Sequence, residues 1–141
     1  MLSEPGALLA ALFLVHFLFD FPLQPGGWIE ARYRLHARAP SLWLHALAHG
    51  AGAAGCLALA GASGGWIVAA FGAVFGSHLL IDIVKSWLPR ESLRAFLGDQ
   101  LAHWVVLLAL WSAFTGIALL PDLENMAIRA NVVVIALAYL L

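Results

Sequence analysis

A single cysteine, Cys56, and a scarcity of charge set this chain of 141 residues apart. One thiol excludes an intramolecular disulfide and every multi-cysteine zinc or iron–sulfur pattern, so any bound metal has to be held by histidine and carboxylate. Charged residues make up 11% of the chain, against about 25% in a soluble domain, while hydrophobic residues reach 63%. Those two values exclude an ordinary water-soluble globule. Seven Lys and Arg against eight Asp and Glu give a formal net charge of −1, which leaves no basic footprint for nucleic acid. No linker, low-complexity tract or internal repeat divides the sequence, and residues 1–141 read as one domain. What is there, and unexpected in so apolar a chain, is six histidines.

Cutting at proline, glycine and charge clusters leaves five apolar segments, at 6–24, 41–61, 66–88, 96–120 and 126–141. The first four reach about 20 residues, the length that crosses a hydrocarbon core of about 30 Å. The sequence therefore predicts an all-α, polytopic membrane helical bundle with four transmembrane helices and a short fifth. The fifth follows Pro121, carries Arg129 near its start, and is expected to be short, interfacial or incomplete. The first lacks a basic leader and a small-residue cleavage site and contains His16 and Asp20, so it is expected to be retained rather than removed as a signal peptide.

Six of the seven basic residues fall in two connections: Arg32, Arg34 and Arg38 after the first segment, and Lys85, Arg90 and Arg94 after the third. The GASGG connection is uncharged, and the turn around Asp122 and Glu124 is acidic. An excess of Lys and Arg marks cytoplasmic loops, which places the N-terminus outside a bacterial inner membrane. Trp28, Trp43 and Trp87 fit an aromatic belt on the cytoplasmic side, and Trp66 fits one on the outer side. Small residues in the second segment (Ala46, Gly50, Gly52, Ala53, Gly55) and in the third (Gly72, Gly76) predict close helix packing.

Each of the four long segments carries two ionisable residues four apart: His16 and Asp20, His45 and His49, His78 and Asp82, Asp99 and His103. Residues at that spacing lie one above the other on a single helix face. Each ionisable group buried in lipid costs about 2.5–3.5 kcal/mol on insertion scales, so the four stripes are expected to face one another or a wet cavity. With alternate helices running in opposite directions, the order of His and Asp reverses as matching depths require. The layout is a layer of Asp20, His45, Asp82 and Asp99 beneath a layer of His16, His49, His78 and His103, about 6 Å apart at 1.5 Å per residue.

Imidazole nitrogen and carboxylate oxygen on the inward faces of a bundle suit a divalent metal, with zinc the first expectation. The expected ligands are His16, Asp20, His45, His49, His78, Asp82 and His103. They are enough for one or two ions, or for one ion with orienting partners. A proton pathway, a purely structural polar core and, least of all, a haem site are the competing readings. Gln24 continues the first stripe by one turn and Gln100 adjoins Asp99; both are candidate substrate-binding or ligand-orienting residues, with interfacial solvation as the plainer role. Lys85 lies one turn beyond Asp82. There it is expected to snorkel, to neutralise the carboxylates or to bind a phosphate. His36 reads as a surface residue, and Pro22, Pro25, Gly26 and Gly27 as the end of the first helix and the start of a loop over the cavity mouth.

The motifs HFLFDFPLQPGGW (16–28), HALAH (45–49), SHLLIDIVK (77–85) and DQLAH (99–103) resemble those of a bacterial membrane family catalogued as domain of unknown function 3307. The likeness runs from about residue 8 to about residue 110. It implies an integral membrane protein without assigning an activity. A fainter likeness, without a residue-by-residue match, is to membrane metal-dependent hydrolases.

The leading expectation is a membrane-embedded metal-dependent hydrolase acting on a lipid or lipid-linked phosphate or ester, with Asp99 as general base. A bound divalent ion lowers the pKa of its water to about 7 and polarises a phosphoryl or carbonyl oxygen. A transition-metal or proton transporter is the runner-up, followed by an assembly subunit with a structural metal. The expected partners are membrane lipid and a second copy of the chain.

Overall fold

A computed structural model describes residues 2–119. The short helix expected at 126–141 and the acidic turn around Asp122 and Glu124 lie outside those residues. The described residues form five α-helices: α1 (Pro5–Asp20), α2 (Gly26–Leu35), α3 (Pro40–Leu59), α4 (Gly64–Lys85) and α5 (Leu93–Thr115), with a 3-10 turn at His36–Arg38. There is no strand among them, so the all-α expectation holds.

Local chemistry explains where the helices begin and end. Pro5 and Pro40 stand in the first turns of α1 and α3, where the missing N–H would have had no partner in any case. The Ser92 hydroxyl caps α5 by accepting the Ala95 N–H at 3.3 Å, and Gly116 ends it with a φ of 73°, a conformation that a side chain disfavours. Trp111 Nε1 donates to the Pro5 carbonyl at 2.7 Å, tying the end of α5 to the start of α1.

Two elements depart from the sequence expectation. The first apolar segment was expected to run to residue 24, but α1 stops at Asp20. Pro22 lacks the N–H that would continue the ladder, and the Leu23 N–H turns back to the Leu18 carbonyl at 3.0 Å. Sixteen residues span about 24 Å at 1.5 Å each, short of a hydrocarbon core of about 30 Å. Three helices, α3, α4 and α5, are long and apolar enough to cross a membrane, and α1 is a shorter apolar helix. Among the described residues, then, three helices reach membrane-crossing length, and the expected count of four spans is not confirmed.

The second departure is the basic connection expected as a loop over the cavity mouth, which is helix α2. Once past Gly27 the stretch WIEARYRL has no breaker, and it sets Glu30 four residues before Arg34, a spacing that supports a helix.

The four longer helices pack in a ring, each against two neighbours in the order α1, α3, α4, α5. Two glycines permit the closest approaches. A Cβ at Gly50 would stand 2.9 Å from Phe75 Cβ and 3.0 Å from the Phe71 carbonyl on α4. One at Gly52 would press on Val15 and Phe19 of α1. The small-residue packing expected on α4 is not used in this way, since Gly72 and Gly76 have nothing within 4 Å of a built Cβ.

Each helix presents one buried stripe, and that stripe changes character along its length. At one end it is apolar: Leu8, Leu9, Leu12, Ala53, Leu57, Ala70, Val74, Leu107 and Trp111 form a single cluster. At the other end the same stripes continue as His16, His45, His49, His78, Asp82, Asp99 and His103. The outward faces carry exposed Leu14, Leu44, Leu59, Val68, Leu80, Leu101 and Val105, an apolar exterior all round the bundle.

Candidate metal centre

The polar end is assembled from the last turns of α1 and α4 and the first turns of α3 and α5, which requires neighbouring helices to run in opposite directions. Five imidazoles meet there. Ring centroids of His49 and His78 lie 3.7 Å apart, of His78 and His103 4.1 Å, and of His45 and His49 4.6 Å. His16 closes the group at 5.1 Å from His49 and 5.2 Å from His103. All five are buried. The convergence expected from the i and i+4 spacing is therefore present.

Asp20 sits at the centre of this group. Its Oδ1 lies 3.1 Å from Nε2 of both His45 and His49, and 3.7 Å from Nε2 of His78. Its Oδ2 lies 3.5 Å from Nε2 of His16 and accepts from Gln100 Nε2 at 2.9 Å. The same Gln100 amide donates to Asp99 Oδ2 at 3.1 Å, so one side chain links the two carboxylates.

The two remaining carboxylates are each paired with a cation. Arg32 Nη1 donates to Asp82 Oδ1 at 2.6 Å. Lys85 donates to Asp99 Oδ2. Lys85 thus reaches inward to the carboxylate layer, whereas snorkelling would have sent it outward, and its ammonium lies 5.5 Å from the Phe96 ring centroid. Of the other residues expected at the site, Gln24 lies half-buried in the turn after α1, and no hydrogen bond among those described joins it to the cluster.

Arg32 is the site residue that sequence reading missed, because the segment carrying it was taken for a loop and its charge for a topology signal. It is only 5% exposed. A helical reading of residues 28–35 would have set Arg32 one turn beyond Trp28 and away from Arg34. His36 is likewise more than a surface residue. Its backbone φ is 50°, and its ring stacks on Trp87 at 3.7 Å with planes 3° apart, while Nδ1 lies 2.9 Å from Ser86 Oγ. These contacts clamp α2 to the end of α4.

Several donor atoms in the cluster have no hydrogen-bond partner although they are buried: Nε2 of His78, Nε2 of His103, Oδ2 of Asp82 and Oδ1 of Asp99. Nδ1 of His103 lies 2.9 Å from the Asp99 carbonyl oxygen. A carbonyl can only accept, so Nδ1 carries the proton and Nε2 keeps its lone pair, the tautomer a metal ligand needs. Leaving a buried polar group unmatched costs about 1–3 kcal/mol, and such groups collect at this end of the bundle.

Three sets of donors have ligand atoms all within 4.8 Å of one another: Asp20, His45, His49 and His78; His16, Asp20 and His103; and His78, Asp82 and His103. Together they comprise the seven residues expected as ligands. Asp99 lies outside these sets, beside them, held by Lys85 and Gln100. The donors of the three sets are of a type and spacing that could hold a divalent cation.

The chain belongs to the family described as "Protein of unknown function (DUF3307)", whose model matches residues 8–134. No curated protein and no solved structure matches it.

Proposed function

We propose that the protein is a membrane-embedded, metal-dependent hydrolase acting on a lipid or lipid-linked phosphate or ester. The observation that carries this reading is the set of buried, unpartnered donors on His78, His103 and Asp82, within one small cluster of five imidazoles and three carboxylates. A purely structural polar core would be expected to pair its atoms internally. The apolar exterior and three helices of membrane-crossing length support placement in a bilayer. The basic residues of α2 and of the α4–α5 connection support the orientation with that end in the cytoplasm and the N-terminus outside a bacterial inner membrane.

A divalent cation at this centre, zinc in the first instance, would supply Lewis acidity to the substrate oxygen and to water. The chain's own residues do the rest. Asp99 accepts the proton: Lys85 and Gln100 hold its Oδ2, while its Oδ1 has no hydrogen-bond partner. The water oxygen bonds to the phosphorus or carbonyl carbon, and the bond from that atom to the lipid alcohol oxygen breaks. One water proton passes to Asp99, and the departing alcohol oxygen takes up a proton. Arg32 and Lys85 place two positive charges on the side where a polar head group arrives, and the lipid tail lies along the apolar faces.

The test is hydrolysis of lipid phosphates and esters by detergent-purified protein, compared with Asp99→Asn. The expected result is turnover that falls at least a hundredfold in the variant while bound metal is kept. Metal uptake into proteoliposomes, lost on changing His78, would instead identify a transporter.

A further inference from the structure

The donor sets are not equivalent, and Asp20 divides them. Its Oδ1 faces Nε2 of His45, His49 and His78, and its Oδ2 faces Nε2 of His16. We propose that Asp20 bridges two divalent cations, one held with His45, His49 and His78 and the other with His16 and His103. This rests on the metal-dependent reading above and takes it further, because the two positions differ in completeness. Asp20, His45, His49 and His78 supply four donors, the full number that a structural zinc site takes. His16, Asp20 and His103 supply three, which leaves the open position a reacting centre needs.

An independent feature marks the same position. A cavity of about 10 Å³, lined by His16, Ser77, His78 and His103 and by Val74, Val106 and Leu107, adjoins both histidines of the three-donor set and, of the four-donor set, His78 alone. That volume is about what one water-sized ligand occupies. His103, which lines this cavity, is 3% exposed and its Nε2 has no hydrogen-bond partner. The incomplete set therefore has both a free donor and room beside it.

Charge then narrows the substrate. The carboxylates of Asp20, Asp82 and Asp99 outnumber the cations of Arg32 and Lys85 by one. Two divalent cations leave an excess of three positive charges in a site with little water, and buried charge needs a counter-charge. A phosphate dianion removes most of that excess, and a neutral carboxylic ester removes none. The substrate class is accordingly a phosphate monoester on a lipid or lipid-linked carrier.

The experiment strips the detergent-solubilised, full-length protein with chelator, reloads it with Mn²⁺ and measures stoichiometry together with the electron paramagnetic resonance spectrum. Wild type is expected to bind two ions per chain with a spin-coupled spectrum. His103→Ala and His16→Ala should each bind one ion with an uncoupled spectrum, and His45→Ala should also lose the coupling. Inorganic phosphate should alter the wild-type signal and leave that of His103→Ala unchanged. A single ion in wild type, with His103→Ala indistinguishable from it, overturns the bridged pair and leaves the metal-dependent reading standing. No bound ion in wild type overturns both. Two coupled ions whose signal is indifferent to phosphate overturn the assignment of substrate class.

Discussion

The two ends of this bundle are built from the same four helices, yet they are held together in opposite ways. At one end Leu8, Leu12, Leu57 and Trp111 fill the interior, and the Trp111 indole N–H donates to the Pro5 carbonyl. At the other, five histidines and three carboxylates share the interior with one arginine and one lysine, and several buried donors have no hydrogen-bond partner. The apolar end explains why the helices associate. The polar end makes association more costly, and departures of this kind from a consistent apolar core are expected at functional sites.

The sharpest way to separate the two ends is to damage each and compare the consequences. Trp111→Ala at the apolar end removes a side chain that is 1% exposed and the tie to Pro5; a loss of about 3–5 kcal/mol is expected. It should appear as a lowered melting temperature in detergent, with metal content unchanged in the fraction that remains folded. Loss of metal without loss of stability would contradict the division.

At the polar end, Arg32→Met leaves Asp82 as an uncompensated buried charge, and about 3–5 kcal/mol of destabilisation is expected. Combining it with Asp82→Leu should recover most of that loss, since an ion pair replaced by packed apolar groups is often neutral or better. If the double variant melts no higher than Arg32→Met, the pair is contributing something other than charge compensation.

Between the two ends, glycine substitutions probe how closely α3 must approach its neighbours. Gly50→Ala drives a Cβ against Phe75 and the Phe71 carbonyl and should cost about 1–3 kcal/mol. Gly72→Ala meets open space and should gain up to about 1 kcal/mol from helix propensity. Melting curves of the two variants should move in opposite directions. His78→Leu in chelator-treated protein is expected to move the melting temperature least, because its buried Nε2 makes no hydrogen bond that the change would remove.

How much of this was legible beforehand depended on whether a feature lay within one helix. The pairs His16 and Asp20, His45 and His49, His78 and Asp82, and Asp99 and His103 follow from helical periodicity alone, so the cluster could be assembled on paper. The length of α1 was overestimated because apolar composition continues past Asp20, although Pro22 was the signal that the hydrogen-bond ladder could not. Arg32 was missed because its role depends on α2 folding across one end of the bundle, and the two glycines that open α2 read as a loop. The division of Asp20 between two histidine sets has no sequence signature. It depends on the direction in which each carboxylate oxygen points.

The central claim is that the polar end is completed by a divalent cation. The most direct test is the melting temperature of chelator-stripped protein with and without Zn²⁺, in wild type and in His78→Leu. At a free ion concentration one hundred times Kd, binding to the folded state alone is worth about 2.7 kcal/mol. Wild type should therefore melt several degrees higher with zinc, and His78→Leu should show most of that rise lost. A wild-type transition that zinc leaves unmoved would contradict the account.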